Sequence, residues 1–178
     1  MRDGQGLEVS NGHAEAIAAI DLLRDEWLAF GKRLPEVVSR ADSEDRCALL
    51  PLLSANLLLT VNAPVAFDMA QRQFARAKNL AGNATPRELA WLAATEAALA
   101  RDKEKAQSIH EQIVGEWPQD LISAKVGQVQ AIAARRAAVI ALQQAFQPPH
   151  HRHLQTPEDM VSGLRHERSP IPAAARRA

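Results

Sequence analysis

Few side chains in this sequence are placed to do chemistry, and its histidines and its cysteine are the ones to consider first. The run "HHRH" at residues 150–153 supplies imidazoles, which are common metal ligands, but neither a nearby cysteine nor a helical i, i+4 pair of histidines fixes a geometry. A solvated tail explains the run better, and we predict no metal site and no cofactor. His110 could serve as a general base and Cys47 as a nucleophile, yet no orienting acid lies at a recognisable spacing. A half-buried histidine and an inert buried thiol are favoured.

Charge is divided unevenly along the chain. Residues 1–120 carry 13 basic and 18 acidic side chains, whereas residues 121–178 carry 8 and 3. A positive C-terminal part could contact nucleic acid or an acidic partner, although a solvated surface is the simpler interpretation. Arg135 and Arg136 form the best basic spot, and without interleaved aromatic residues they make a poor nucleic-acid signature. The sequence therefore disfavours nucleic-acid binding.

Composition favours one helical domain. The chain has 178 residues, is rich in alanine and leucine, contains only 4% aromatic residues and lacks tyrosine, which suits closely packed helices better than a sheet. The single cysteine excludes an internal disulfide, and the N-terminal residues have no apolar core of the kind that a secretion signal needs. We therefore expect an all-α, cytoplasmic protein.

One stretch is apolar enough to raise the question of a membrane. Residues 47–67, "CALLPLLSANLLLTVNAPVAF", contain no charge over 21 residues, which is long enough to cross a bilayer. Pro51, Asn56 and Pro64 interrupt the stretch or would need polar partners in lipid. A helix buried between neighbouring helices explains it better, and we predict no membrane association.

Periodicity and end signals place the helices. The first is predicted over residues 15–30 and ended by Gly31, with one apolar face made of Ala16, Ile20, Leu23, Trp27 and Phe30. The next three are predicted as a short helix from Pro35, a helix over residues 48–61, and a helix over residues 65–80 with Gly82 as C-cap. The helix that follows runs to about Ala100 and is predicted to start at Pro86, with Thr85 as its N-cap and Glu88 reaching back to the cap backbone. The last two are a helix with Ala106, Ile109, Ile113 and Trp117 on one face, which Pro118 ends, and one long helix over residues 128–146.

These helices show the spacing of a tetratricopeptide unit. Ala70, Phe74 and Ala77 match its second helix, and Ala106, His110 and Ile113 repeat the spacing 36 residues later, ahead of Pro118. We therefore predict a tetratricopeptide-like α-solenoid of about three helical hairpins, with a long C-terminal helix and an irregular tail. The predicted domains are a helical-repeat domain over residues 1–146 and a Pro- and His-rich tail over residues 147–178, which we expect to be poorly ordered.

Part of the chain resembles a known family. "GLEVSNGHAEAIAAIDLL", followed by "AGNATPRELAWLAATEAALARDKEKAQSIHEQIVGEWPQDLISAKV", is similar to the N-terminal part of the tetratricopeptide-repeat protein 38 family, including its bacterial members. The likeness covers about residues 6–126 and is carried by Gly6, Leu7, Ser10, Thr85, Arg87, Glu88, Pro118 and residues 120–125. It implies a solenoid of helical hairpins and, more weakly, an interaction role, with no catalytic residues to transfer.

The function predicted from these patterns is a protein–protein interaction module without catalytic activity, whose protein or peptide partner the sequence does not name. We expect a peptide-binding groove on the first helices of the repeats, with Asn56, Trp91, Thr95 and Lys125 as contacts. Trp91 is the strongest candidate for a contact residue, because tryptophan often anchors protein interfaces. The alternative is that Trp91 packs in the core. The alternative function is a small-molecule enzyme, or a subunit of one, that uses the same groove; it would require polar, pKa-perturbed residues converging in one pocket.

The predicted long helix raises a separate question about its apolar side chains. Those that fall largely on one side are Val129, Ile132, Val139, Leu142 and Phe146. A helix that ends a solenoid needs either a neighbour or a polar outer face. We therefore expect these residues to pack on the preceding hairpin, on a second copy of the chain in a homodimer, or on both.

Overall fold

Helices form almost all of the structure, a computed structural model that describes residues 1–61 and 63–145. In chain order they are α1 (Ala14–Ala29), α2 (Leu34–Ser43), α3 (Leu49–Thr60), α4 (Pro64–Leu80), α5 (Pro86–Leu99), α6 (Lys103–Glu116) and α7 (Leu121–Ala145), with a 3-10 turn over Ala81–Asn83. Within these described ranges the only extended pairing is an isolated antiparallel bridge between Arg2 and Glu8. The predicted all-α class is confirmed.

Consecutive helices pack against each other in pairs. The most extensive contacts join α3 to α4 and α5 to α6, and α1 also packs on α2. Further contacts join α1 to α3 and α3 to α5, while α2 packs on α3 and α4 packs on α5. Each pair therefore contacts the first helix of the pair that follows it.

Helix α3 lies at the centre of this packing. Its sequence carries no charge, and every residue from 49 to 58 is buried, including Ser54 and Asn56. A helix that is apolar all round must be covered on all sides, and α1, α2, α4 and α5 provide that cover. The prediction of a helix buried between neighbours is confirmed, and over the described residues no helix combines the length and the apolar character that a membrane span requires.

The start of α5 follows the predicted capping pattern. The Thr85 hydroxyl accepts a hydrogen bond from the Glu88 backbone N–H at 3.2 Å, and the Glu88 carboxylate accepts one from the Thr85 N–H at 2.7 Å. Pro86 occupies the first helical position, where its missing N–H costs nothing. These reciprocal bonds satisfy two backbone donors that the helix itself leaves unpaired.

The end of α1 differs from the prediction. The predicted apolar face is buried at Ala16, Ile20, Leu23 and Trp27, but the side chain of Phe30 is 78% exposed. Phe30 caps the helix in the left-handed conformation, with φ 54° and ψ 41°, which turns the chain away before the ring can reach the helix face. Gly31 follows and donates its N–H to the Glu26 carbonyl at 2.7 Å.

Two other predicted ends also need correction. Gly82 is not the C-cap of α4, because Ala81 occupies that position and the helix tightens into a 3-10 turn that includes Gly82. The last helix begins at Leu121 and not at residue 128, since the Asp120 carboxylate accepts the Ser123 backbone N–H at 3.0 Å and so caps it. Gly127 lies inside α7, where a Cβ would lie in ordinary contact with His110.

The compact unit of the described chain comprises Met1–Ala134, and residues 135–145 complete α7 outside it. The predicted tail over residues 147–178, with its histidine run, lies outside the residues that the structure describes, as does Phe146. The predicted domain boundary at residue 146 therefore stays a prediction.

Candidate functional site

Polar side chains concentrate in one interior region, where the N-terminal segment meets α5, α6 and the start of α7. We refer to this group as the Arg87 network. Its members are Asp3, Arg87, Trp91, His110, Asp120 and Ser123.

Arg87 is the centre of this network. Its guanidinium lies 3.2 Å from the Asp120 carboxylate and 3.5 Å from the Asp3 carboxylate, and it donates a hydrogen bond to the Glu8 carbonyl. Only 6% of the Arg87 side chain is exposed, and the two acids are buried further still. A buried charge of this kind needs paired and hydrogen-bonded partners. The ion pairs therefore hold the N-terminal segment and the start of α7 on α5.

The Asp120 carboxylate accepts three hydrogen bonds. One oxygen caps α7 through the Ser123 N–H, and the other accepts hydrogen bonds from the Trp91 indole N–H at 2.9 Å and from Arg87. Asp3 is used in a similar way, since its Oδ1 accepts the backbone N–H groups of Gln5 and Leu7. Both acids are therefore engaged within the chain.

His110 packs edge-on against the Trp91 ring, with the ring centroids 4.9 Å apart. Its Nδ1 lies 2.9 Å from the Ser123 hydroxyl oxygen. Burial lowers the pKa of His110 to about 4, although the nearby Asp120 carboxylate opposes the shift. The imidazole is therefore neutral near pH 7, as expected for a buried histidine.

A serine, a histidine and an aspartate thus meet here, but not in the arrangement that activates a nucleophile. That chemistry needs the acid to orient the imidazole and the imidazole to reach the nucleophile. The Asp120 oxygens instead accept from Trp91, Arg87 and Ser123. The Ser123 side chain is fully buried as well. The geometry fits a stabilising network.

The predicted groove residues divide between the interior and the surface. Asn56 donates to the Thr95 hydroxyl at 2.6 Å and to the Leu52 carbonyl, and Thr95 in turn donates to the Trp91 carbonyl at 2.7 Å. Asn56, Thr95 and Trp91 are all buried, Trp91 with 0% of its surface exposed. The expectation that these three are open to a peptide does not fit their burial, because α3 is covered on all sides and α5 turns this face toward it.

Lys125 lies elsewhere, on α7. It is half-buried, and its ammonium group lies 4.3 Å from the centre of the Phe30 ring. A cation over an aromatic face is attracted by the ring electrons. Of the four predicted contact residues, Lys125 alone is placed at the surface.

Asp3, Arg87 and Asp120 are not recognisable as a group from the sequence. Arg87 occupies the first turn of α5, where a charged side chain is usually exposed, and its acidic partners come from distant parts of the chain. Periodicity does not detect such pairs. The family resemblance was the one feature of the sequence that included these positions, since Arg87, Glu88 and Asp120 are among the residues that carry it.

Two apolar side chains in the first half of α7 are exposed. Leu121 is 45% exposed and Ile132 is 59% exposed. Among the described side chains for which we predicted cover by the same chain, Val129 is half-buried, whereas Ile132 and Val139 are exposed. The structure does not describe the side chain of Leu142.

Metal and thiol chemistry can be assessed for the described part of the chain. There, no three His, Cys, Asp or Glu side chains are grouped so that they could hold a metal ion. Cys47 is fully buried, and burial raises the pKa of its thiol, which disfavours the reactive thiolate. The favoured interpretation of Cys47 as an inert thiol fits this environment.

A second polar cluster, at the start of α1, contains a histidine between two carboxylates. His13 places Nδ1 2.7 Å from Glu15 and Nε2 3.1 Å from Glu44, so that only an imidazolium can donate to both. The hydrogen bond to Glu15 is the main cause of a raised pKa at His13; burial opposes the rise, Glu44 adds to it, and Arg46 opposes it to the smallest extent. Burial alone would raise the pKa of Glu44, but the N–H groups of Cys47 and Arg46 and the contact with His13 outweigh it, and the pKa is lowered.

These shifts predict a pH dependence of stability. A group with a raised folded-state pKa stabilises the fold below its unfolded pKa and loses that contribution as pH rises through the folded value. For His13 the loss therefore occurs above pH 6.5. Urea unfolding of wild type and His13→Gln should show the larger stability difference at pH 5.5 to 6 and a smaller one above pH 8. A difference that is independent of pH would contradict the pairing.

Comparison of the chain with protein-family models, with curated proteins and with solved structures found no match.

Proposed function

We propose that the protein is a protein–protein interaction module, built as a tetratricopeptide-like stack of helical hairpins. The observation that carries the proposal is the order of helix contacts. In a stack of hairpins each unit contacts only its neighbours. The contacts of α1 and α2 with α3, and of α3 and α4 with α5, follow that order through the pairs α1–α2, α3–α4 and α5–α6.

The distribution of polar groups supports an interaction role over catalysis. The densest polar group, the Arg87 network, is closed to solvent and its members pair with one another. The exposed apolar side chains of α7 instead offer surface that a protein partner could cover. The proposed binding surface is therefore on α7 and not on the inner faces of α3 and α5.

Membership of the tetratricopeptide-repeat protein 38 family is part of the proposal. The residues that carry this resemblance have structural tasks here: Thr85 and Glu88 cap α5, Arg87 and Asp120 form a buried ion pair, and the Ser10 N–H donates to Glu88 at 3.1 Å. A shared pattern at these positions is explained by packing and capping alone. It supports a common fold more directly than a common ligand.

The proposal is tested by recovery of partners from native lysate. The tagged full chain is used as bait beside an unrelated helical protein of similar size on the same resin, and the bound proteins are identified by mass spectrometry. We expect at least one protein that is retained only by this chain and rebinds it when purified. If no protein is retained, and a small-molecule fraction of the lysate instead raises the melting temperature of this chain, the alternative of a small-molecule enzyme or enzyme subunit is favoured.

A further inference from the structure

The first ten residues of the chain form a short loop that folds back on itself and packs on the helices. The Val9 N–H donates to the Met1 carbonyl at 2.8 Å, and the Asp3 N–H donates to the Leu7 carbonyl at 2.9 Å. Leu7 and Val9 are only 3% and 1% exposed, so the loop contributes two apolar side chains to the interior. We call residues 1–10 the N-terminal strap.

The N-terminal strap is attached to helices of two different pairs. On α1, the Asp21 carboxylate accepts the Gly4 N–H at 2.8 Å. On α5, the Arg87 guanidinium lies 3.5 Å from the Asp3 carboxylate and donates to the Glu8 carbonyl at 3.2 Å. The bond to α1 is exposed, whereas the ion pair with Arg87 is buried, and breaking a buried pair costs far more than breaking an exposed one. The ion pair is therefore the main attachment of the strap.

Two further contacts connect the same region to the last helix. The Gln5 side-chain amide donates to the Gln119 carbonyl, which lies two residues ahead of α7 and 114 residues from the donor. Phe30, at the end of α1, places the centre of its ring 4.3 Å from the ammonium group of Lys125 on α7. Contacts at such exposed positions add little stability by themselves. They come from different parts of the chain, however, and both bring the first helix pair to the start of α7.

These contacts depart from the order of a simple stack of hairpins. In such a stack each unit contacts only its neighbours. The extensive helix contacts follow that order, since α1 packs on α2 and α3, and α3 packs on α4 and α5. The N-terminal strap instead bypasses the second pair and joins α1 directly to α5 and to the segment before α7. A disturbance at the first pair can therefore reach α7 without passing through α3 and α4.

We propose that the N-terminal strap is a clasp that closes the stack between its first pair and α7, so that the start of α7 opens when the strap is released while α2, α3 and α4 stay packed. With the strap in place, Arg87 is paired with Asp3 and Asp120, and Asp120 caps the first turn of α7. Release leaves Arg87 with one acid and removes the link from the strap to Gln119. The start of α7 then opens locally at a lower free-energy cost than the rest of the fold. The clasp lets α7 move relative to α1 without unfolding of the chain.

The test is hydrogen exchange followed by mass spectrometry, on the full chain and on two strap variants. Asp3→Asn keeps the oxygen that accepts two backbone N–H groups of the strap and removes the charge that faces Arg87. Val9→Ala truncates a buried side chain of the strap. In both variants, amides of residues 124–132 should exchange at least about 10-fold faster than in wild type, while those of α2 and α4 should change by less than about 3-fold, because each local opening has its own free energy.

The matched control is Val37→Ala, which makes the same truncation at a fully buried position of α2, outside the strap. It should speed exchange in α1, α2 and α3 and leave residues 124–132 within about 3-fold of wild type, since a stack passes disturbances only between neighbours. The clasp is ruled out if the strap variants speed exchange most in α1 and α2 and least in α7. Equal acceleration in all helices also overturns it, because the strap would then support the fold as a whole. Unchanged exchange over residues 124–132 in both strap variants does so too.

Discussion

Asp120→Ala is expected to lower the free energy of unfolding by about 3 to 5 kcal/mol, because removing one partner of a buried ion pair leaves the other charge uncompensated. The substitution also leaves the Trp91 indole N–H and the Ser123 backbone N–H without their acceptor. Arg87 keeps only the longer contact with Asp3 and its bond to the Glu8 carbonyl. Urea unfolding followed by circular dichroism measures the loss.

A matched substitution separates the cap from the buried network. Asp102 caps α6 as Asp120 caps α7, with its carboxylate accepting the Lys105 N–H at 3.1 Å, but it is exposed. Asp102→Ala should therefore cost about 1 kcal/mol, as loss of a cap usually does. Asp120→Asn, which keeps an oxygen acceptor but not the charge, should lie between the two alanine variants. If Asp120→Ala costs no more than Asp102→Ala, the Arg87 network does not stabilise the fold.

The helices were predictable because their signals are local. The start of α5 follows from Thr85, Pro86 and Glu88, which lie within four residues of one another and need no distant partner. The buried face of α1 follows from its spacing. The ends of helices were less predictable. The left-handed backbone of Phe30 and the 3-10 turn over Ala81–Asn83 depend on the direction in which the chain must turn to reach the next helix.

The polar interior could not be predicted in the same way. Arg87 and Asp120 are separated by 33 residues, and only the packing of α5 against the start of α7 brings them together. The burial of two predicted groove residues, Asn56 and Thr95, was unpredicted for a related reason. Polar side chains are usually exposed, but Asn56 donates a hydrogen bond to Thr95, and this pairing allows both to be buried.

The same interior explains how a surface on α7 can be held in place. Asp120 fixes the first turn of α7 to α5 through Arg87 and Trp91, and His110 on α6 meets Ser123 on α7. Binding sites are most precise when their supporting residues are locked by packing and hydrogen bonds. In the proposed complex, the buried network would act on partner binding through the position of α7 and not by contact with the partner.

Trp91→Ala tests whether Trp91 belongs to the buried network. We expect it to lower the free energy of unfolding by about 3 to 5 kcal/mol, as for other buried tryptophans. The indole is fully buried, packs on the His110 ring and donates to Asp120, so alanine leaves a cavity and removes one of the two hydrogen bonds that this carboxylate oxygen accepts. Since domains of this size have about 5 to 15 kcal/mol of stability, the melting temperature should fall clearly.

Two further variants decide which part of the tryptophan matters. Trp91→Phe keeps most of the volume but loses the N–H, and should cost about 1 to 3 kcal/mol. Trp117→Ala makes the same truncation at a half-buried tryptophan that caps α6, and should cost less than Trp91→Ala. In the double variant of Trp91→Phe with Asp120→Ala the two losses should not add, because both remove the same hydrogen bond. An unchanged melting temperature in Trp91→Ala together with lost partner binding would instead restore Trp91 as an interface anchor, and would place the binding site on α5.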